Sequence, residues 1–166
     1  VAKEADVQRR LSCMIREREV ERRYLALVRG DIRNESGTIE ASVGRDERRR
    51  TAMAVEGRGA RSAVTHFAVC ERFTAFTLLE ARLETGRTHQ IRVHFQAIGH
   101  PVAGDPTYSP GAVLGLTRQF LHSHRLRLRH PVDGSRLDFT SALPADLAAV
   151  LAALRAAAGR SVPGAE

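Results

Sequence analysis

The densest run of side chains able to do chemistry is Glu84-Thr-Gly-Arg-Thr-His-Gln-Ile-Arg-Val-His94. It gathers two guanidinium groups, Arg87 and Arg92, around the imidazole of His89, and such a set of donors suits phosphate or carboxylate. The flanking residues say how it is presented. Phe76 to Leu83 is β-rich and runs into the segment, Gly86 permits a tight turn, and Thr88 stands where an N-cap would. Ile91, Phe95 and Ile98 then recur at i, i+4 and i+7, before Gly99 and Pro101 close the helix. A strand, a turn and a helix start are expected, with His89 and Arg92 on one face. The free N–H groups of a helix start add further donors, so an anionic group is expected at this turn. A structural ion-pair cluster at a helix cap is the other reading these residues allow.

Other chemistries lack their patterns. The seven histidines are His66, His89, His94, His100, His122, His124 and His130. His89 and His94 are five apart, off one helical face. His122 and His124 share a strand face at best, with no HExxH or Cys/His spacing beside them, so no metal is expected. There is no GxSxG elbow, no GxxxxGK[ST] loop and no GxGxxG. No nucleotide cofactor is therefore expected. Cys13 and Cys70 form neither a CxxC pair nor a disulfide framework. They read as reduced thiols, which favours the cytoplasm.

The elements that position the polar segment follow from periodicity. At 166 residues, 43% of them apolar, the chain fits one domain with a sizeable core. Residues 1–160 are read as that domain and 161–166 as a disordered tail. No apolar run approaches the roughly 18 residues that span a membrane. The start at Val1 is neither a signal peptide nor a methionine, and reads as a processed product or a fragment. The formal charge is +7 and Lys3 is the only lysine, so the excess is arginine. That fits nucleic acid as partner, although a generally arginine-rich composition gives the same charge.

Glu4 to Arg16 carries Val7, Leu11, Met14 and Ile15 on one helical face. Tyr24 to Val28 reads as a buried strand closed by Gly30, with turn chemistry at 34–37. Gly44 to Thr51 reads as a charged loop, and Met53 to Val55 as a strand edge. Ala63 to Phe73 and Phe76 to Leu83 suggest an antiparallel pair. Leu126, Leu128 and His130 alternate with Arg127 and Arg129 as a half-exposed strand with a basic outer face. Leu137 to Thr140 is a further strand. Pro144 opens the last helix, whose stripe is Leu147, Val150, Leu151 and Leu154, and Gly159 stops it. The expected fold is mixed α+β, a largely antiparallel sheet with flanking helices.

Several motifs, in order, carry a resemblance. They are Glu21-Arg-Arg-Tyr-Leu-Ala-Leu-Val-Arg-Gly30, Gly37-Thr-Ile-Glu, Arg45-Asp46, Ala63-Val-Thr-His-Phe and Thr85-Gly-Arg-Thr-His-Gln-Ile-Arg-Val-His94. Ile98-Gly-His-Pro-Val, Gly104-Asp-Pro-Thr-Tyr108, Arg118-Gln-Phe-Leu-His122, Leu126, His130-Pro131 and Leu143-Pro-Ala-Asp-Leu147 follow. Over nearly its whole length the chain resembles the RluA/RluD branch of RNA pseudouridine synthases, as the C-terminal portion of their catalytic domain.

The resemblance implies isomerisation of uridine in structured RNA, ribosomal RNA ahead of transfer RNA, without metal or cofactor. It implies three catalytic positions. Tyr24 would stack on the flipped uracil, Arg92 would pair with the catalytic aspartate, and Leu121 would close the pocket around the base. Without the resemblance Tyr24 reads first as a core strand residue, and Leu121 about as well as simple core packing. Arg87, His89 and Gln90 are implied as RNA-binding or as shaping the turn, and Asp105 as tying down the loop before Tyr108; Arg45, in a charge run with Arg48, Arg49 and Arg50, reads equally as an RNA phosphate contact or as solvated charge. The family's aspartate lies in a His-Arg-Leu-Asp segment that has no match in these 166 residues; Val1-Ala2-Lys3 is similar to the end of the strand that follows it. The chain by itself is therefore expected to be inactive. A non-catalytic RNA-binding module is the alternative function. A glycoside hydrolase, which commonly opposes two carboxylates, fits the arginine-rich centre poorly. Nothing specifies an assembly, and a monomer is expected.

Overall fold

A computed structural model describes residues 2–49, 51–109, 111 and 113–160. The expected tail at 161–166 lies outside them. The order of elements is α1 (Ala5–Arg16), β1 (Glu21–Arg29), β2 (Ser36–Glu40), β3 (Val43–Arg45), β4 (Met53–Val55), β5 (Arg58–Arg61), β6 (Val64–Phe73), β7 (Phe76–Leu83), α2 (Gln90–Ala97), β8 (Leu121–Arg129), β9 (Arg136–Thr140) and α3 (Ala145–Arg160). Six strands form one sheet in the order β2-β6-β7-β1-β8-β9, and three form a second, β4-β3-β5. Among the described residues every strand pairing is antiparallel, as the short connections require.

The central strands sort their side chains by parity. Ala26 and Val28 of β1, with Leu79, Ala81 and Leu83 of β7, join Ile91 and Phe95 of α2 in one core cluster, against which Tyr24 and Leu121 pack. Leu27 and Leu78 point the other way, onto Leu147, Val150 and Leu151 of α3 and the buried ring of Phe120. Leu154 completes the stripe read for α3 from the edge of that cluster. A third cluster joins the small sheet to α2 through Val43, Ala52, Val93 and Tyr108. One short helix thus serves both sheets: Ile91 and Phe95, four apart, face the large one, and Val93 between them faces the small one.

Four expectations need correction. Gly44 and Arg45 belong to β3 rather than to a charged loop. Three residues of such composition carry no visible alternation, and the strand exists because β4 and β5 both pair with it. Thr88 is not the cap of α2. His89 is, in the left-handed conformation with φ 56° and no side-chain cap hydrogen bond. Gly159 does not stop α3, which runs on to Arg160. Lastly, the turn read at 34–37 gives way to β2 from Ser36 on. The amphipathic helix α1 is as expected, although none of its residues is buried and Ile15 remains 43% exposed.

Candidate functional site

Tyr24 of β1, Leu83 at the end of β7, Arg87 and His89 of the turn, the α2 start from Gln90 to Arg92, and Gln119 with Leu121 at the entry to β8 enclose a cleft of about 320 Å³. Positions nearly a hundred residues apart meet there because β1 lies between β7 and β8: Tyr24 stands opposite Ala81 on one side and Ser123 on the other. The β1–β8 register slips between Arg23, opposite Arg125, and Tyr24, opposite Ser123. The extra residue, His124, makes a bulge beside Tyr24. Bulges of this kind re-aim neighbouring side chains. Ala103 stitches the next loop to the same place: its N–H donates to Leu27 O, its carbonyl accepts from Phe120 N–H, and Leu27 N–H donates to Phe120 O. Gly104 follows with φ +71°, where any Cβ would stand 2.5 Å from the carbonyl oxygen of Arg118. A side chain is excluded there on two counts.

That glycine turns Asp105 inward. Asp105 is fully buried, and its carboxylate accepts from Arg92 Nε at 2.6 Å and from Arg92 Nη2 at 2.7 Å. It also accepts from the backbone N–H of Thr107 at 2.9 Å and of Tyr108 at 3.1 Å. Burial alone would raise this carboxyl, but the Arg92 fork and the two amides outweigh it and hold it below the usual carboxylate range. The hydrogen bond to Asp105 in turn raises Arg92 further. The anion expected at this turn is thus, in part, the chain's own. The Nε–Nη2 edge of Arg92 is committed to it, and Nη1 makes no hydrogen bond among the described residues. The guanidinium also lies over the Tyr108 ring, 4.8 Å from its centroid.

Tyr108 is the second anchor. Its hydroxyl accepts from Met53 N–H at 2.8 Å and lies 2.9 Å from His89 Nδ1. With the backbone donor on one side, the hydroxyl proton is left for Nδ1, which assigns the hydrogen of the neutral imidazole to Nε2. Burial, then the nearby Arg92 charge, lower the His89 pKa, and Asp105 partly opposes them. His89 is therefore a neutral, half-buried ring at the cleft wall.

Gln90 takes the role of shaping the turn. It is 2% exposed and fully engaged. Nε2 donates to Val64 O and Thr65 Oγ1, each at 3.0 Å, and Oε1 accepts from Thr85 Oγ1 at 2.8 Å and Arg87 N–H at 2.9 Å. The turn so held displays Arg87 and His89. Of the seven residues singled out from the sequence, Tyr24, Arg87, His89, Gln90, Arg92 and Leu121 line this one cleft. Arg45 lies apart, in a neighbouring cleft that Arg87 also lines. The sequence pattern did not mark Gln119, although it stands two residues before Leu121 in the same motif, nor Tyr108 as the partner of His89.

A family model described as RNA pseudouridylate synthase matches residues 1–97. Ribosomal large subunit pseudouridine synthase D of Nitrosomonas europaea is 49% identical over 163 residues, 93% of this chain and 47% of its own length. An uncharacterized RNA pseudouridine synthase of Bacillus subtilis, YlyB, is 48% identical over 136 residues, 82% of this chain and 45% of its own. The chain thus spans about half the length of these curated relatives. Among solved structures, human RNA Pseudouridylate Synthase Domain Containing 1 superposes with a TM-score of 0.72 at 30% identity, over 100% of this chain and 76% of that one.

Proposed function

Since the chain belongs to the RNA pseudouridylate synthase family, we propose that it is the C-terminal portion of a catalytic domain that isomerises uridine to pseudouridine in structured RNA, with large-subunit ribosomal RNA as substrate, in the cytoplasm. The observation that carries this reading is the convergence of Tyr24, Arg92 and Leu121, from three separate motifs, on one cleft of about 320 Å³.

The reaction breaks the bond between uracil and ribose, turns the base, and rejoins it through C5, which must lose its hydrogen. A uridine in a helix must leave its stack to be reached. Tyr24 offers a face for the extruded base and a hydroxyl near it, while Leu121 and Leu83 supply an apolar wall. The reaction also needs a carboxylate at the ribose. Asp105 does not serve: it is inaccessible, and four donors saturate it. In this reading the reacting carboxylate comes from a His-Arg-Leu-Asp segment outside the 166 residues. Arg92 orients it, itself held in plane by Asp105 and Tyr108. The chain alone then binds RNA but does not turn over.

Release of tritium from RNA labelled at uracil C5 tests this. The 166-residue chain should release none above background. A form carrying a His-Arg-Leu-Asp segment upstream of Val1 should release it in step with pseudouridine. Release by the short chain would overturn the placement of the carboxylate.

A further inference from the structure

A second cleft, of about 670 Å³, lies between the small sheet and the turn ahead of α2. Four arginines line it: Arg45 from β3, Arg58 and Arg61 from β5, and Arg87 from the turn; among its described lining residues none is acidic. Many of the arginines elsewhere are neutralised by a carboxylate, though among the described residues scattered exposed ones such as Arg33 and Arg136 are not. Arg118 is paired with Asp146, Arg125 and Arg127 with Asp138, Arg155 with Glu71, and Arg72 with Glu35. Arg45, Arg58 and Arg61 make no ion pair and no side-chain hydrogen bond among the described residues. β5 is an edge strand of the small sheet and all four of its residues are exposed, so these side chains contribute little to the core.

Like charges gathered around one concavity repel each other, and an anion with several oxygens along its length relieves the repulsion at all of them. The two clefts are adjacent, since Arg87 lines both. We propose that the arginine-lined cleft is a phosphodiester subsite, holding the backbone of the RNA strand that leads into the nucleotide at Tyr24. Arg58 and Arg61 are its outer contacts. The inference rests on the reading of the Tyr24 cleft as the uridine site. Guanidinium forks fit phosphate oxygens in pairs, and a backbone contact carries no sequence preference.

The test is fluorescence anisotropy of a labelled, uridine-containing single-stranded RNA with the 166-residue chain, across a salt series. Arg58→Ala with Arg61→Ala should weaken binding roughly 10-fold or more at low salt, and lower the slope of log affinity against log salt by about 0.7 for each phosphate left without its arginine. The control removes the same charge from two exposed arginines elsewhere, Arg33→Ala with Arg136→Ala, and should change affinity by no more than about 2-fold. Equal losses in the two double variants would overturn the subsite and leave only net charge. Tyr24→Ala in the same titration keeps the two readings apart. If it binds like wild type while the Arg58/Arg61 variant is weakened, the uridine reading fails and the phosphate cleft stands. The converse pattern fails the cleft alone.

Discussion

The guanidinium of Arg92 meets the carboxylate of Asp105 edge to edge, with Nε–Oδ2 at 2.6 Å and Nη2–Oδ1 at 2.7 Å, and no part of Asp105 reaches solvent. A buried pair of this kind adds little over an apolar substitute, but breaking it leaves a charge stranded. Its value here is directional. It fixes the plane of a cation that also borders the cleft. Asp105→Asn should therefore cost about 3–5 kcal/mol in denaturant unfolding, with secondary structure retained. A loss under about 1 kcal/mol, the scale of an exposed pair, would show that the fork is held by something else.

Acid should act on the same pair. The folded Asp105 carboxyl lies below its unfolded value of about 3.9. Between the two values the unfolded chain binds more protons, so the stability is present above about pH 4 and is lost as pH falls through the folded pKa. Glu84, lowered by His66 and Arg18, and Asp138, lowered by Arg125 and Arg127, act in the same direction. Urea midpoints measured from pH 6 down to pH 2.5 should fall for wild type and fall less steeply for Asp105→Asn. Parallel curves would remove Asp105 from the acid response.

His89 reports the local field. Arg92 lowers its pKa and Asp105 raises it. An NMR titration of the imidazole should show a value below the usual 6.5, moving further down in Asp105→Asn and up in Arg92→Ala. Tyr108→Phe should free the ring from its assigned tautomer, visible in the 15N shifts, and cost about 1–2 kcal/mol by leaving Met53 N–H without its acceptor. A His89 pKa that rises in Asp105→Asn and falls in Arg92→Ala would contradict the geometry around the ring.

How far the sequence foretold this site depends on the kind of contact. Local periodicity was enough for β1, β6, β7 and the inward stripe of α3, because each is long and its apolar positions repeat. The shared cleft of Tyr24, Arg92 and Leu121 came from resemblance, since strand order is not written in any local pattern. Of the small sheet only β4 was legible, as the strand edge at Met53 to Val55; β3 escaped because three residues are too few to alternate, and β5 because its four residues are all exposed and carry no apolar pattern. The left-handed His89 escaped because Thr88 is the better N-cap by residue type; the turn is held instead by the inward amide of Gln90, whose four hydrogen bonds reach residues 64, 65, 85 and 87. Asp105 read as a loop tie, which it is through Thr107 and Tyr108. Its grip on Arg92 spans thirteen residues and a change of element, and only the three-dimensional arrangement shows it.

Tyr24 joins two roles that substitution separates. In the extended, active form, Tyr24→Phe keeps the ring and should hold RNA affinity within about 2-fold, while lost proton transfer lowers turnover by roughly 100-fold or more. Tyr24→Ala also removes the stacking face, worth about 1–3 kcal/mol per base, so affinity should fall as well. Full turnover in Tyr24→Phe would confine the residue to stacking.

The central claim is that Arg92 orients the reacting carboxylate within the Tyr24 cleft, and single-turnover kinetics of the extended form on one C5-tritiated RNA test it most directly. Lysine keeps the charge of Arg92 but cannot hold Asp105 with two parallel bonds and still present a third nitrogen. The account predicts that Arg92→Lys loses nearly as much rate as Arg92→Ala, with RNA affinity little changed, because orientation is lost rather than binding. Arg87→Lys, at a turn and phosphate contact, should keep much of its rate. Near-normal turnover in Arg92→Lys, with weakened RNA binding alone, would contradict the account and move Arg92 from the reacting centre to the RNA backbone surface.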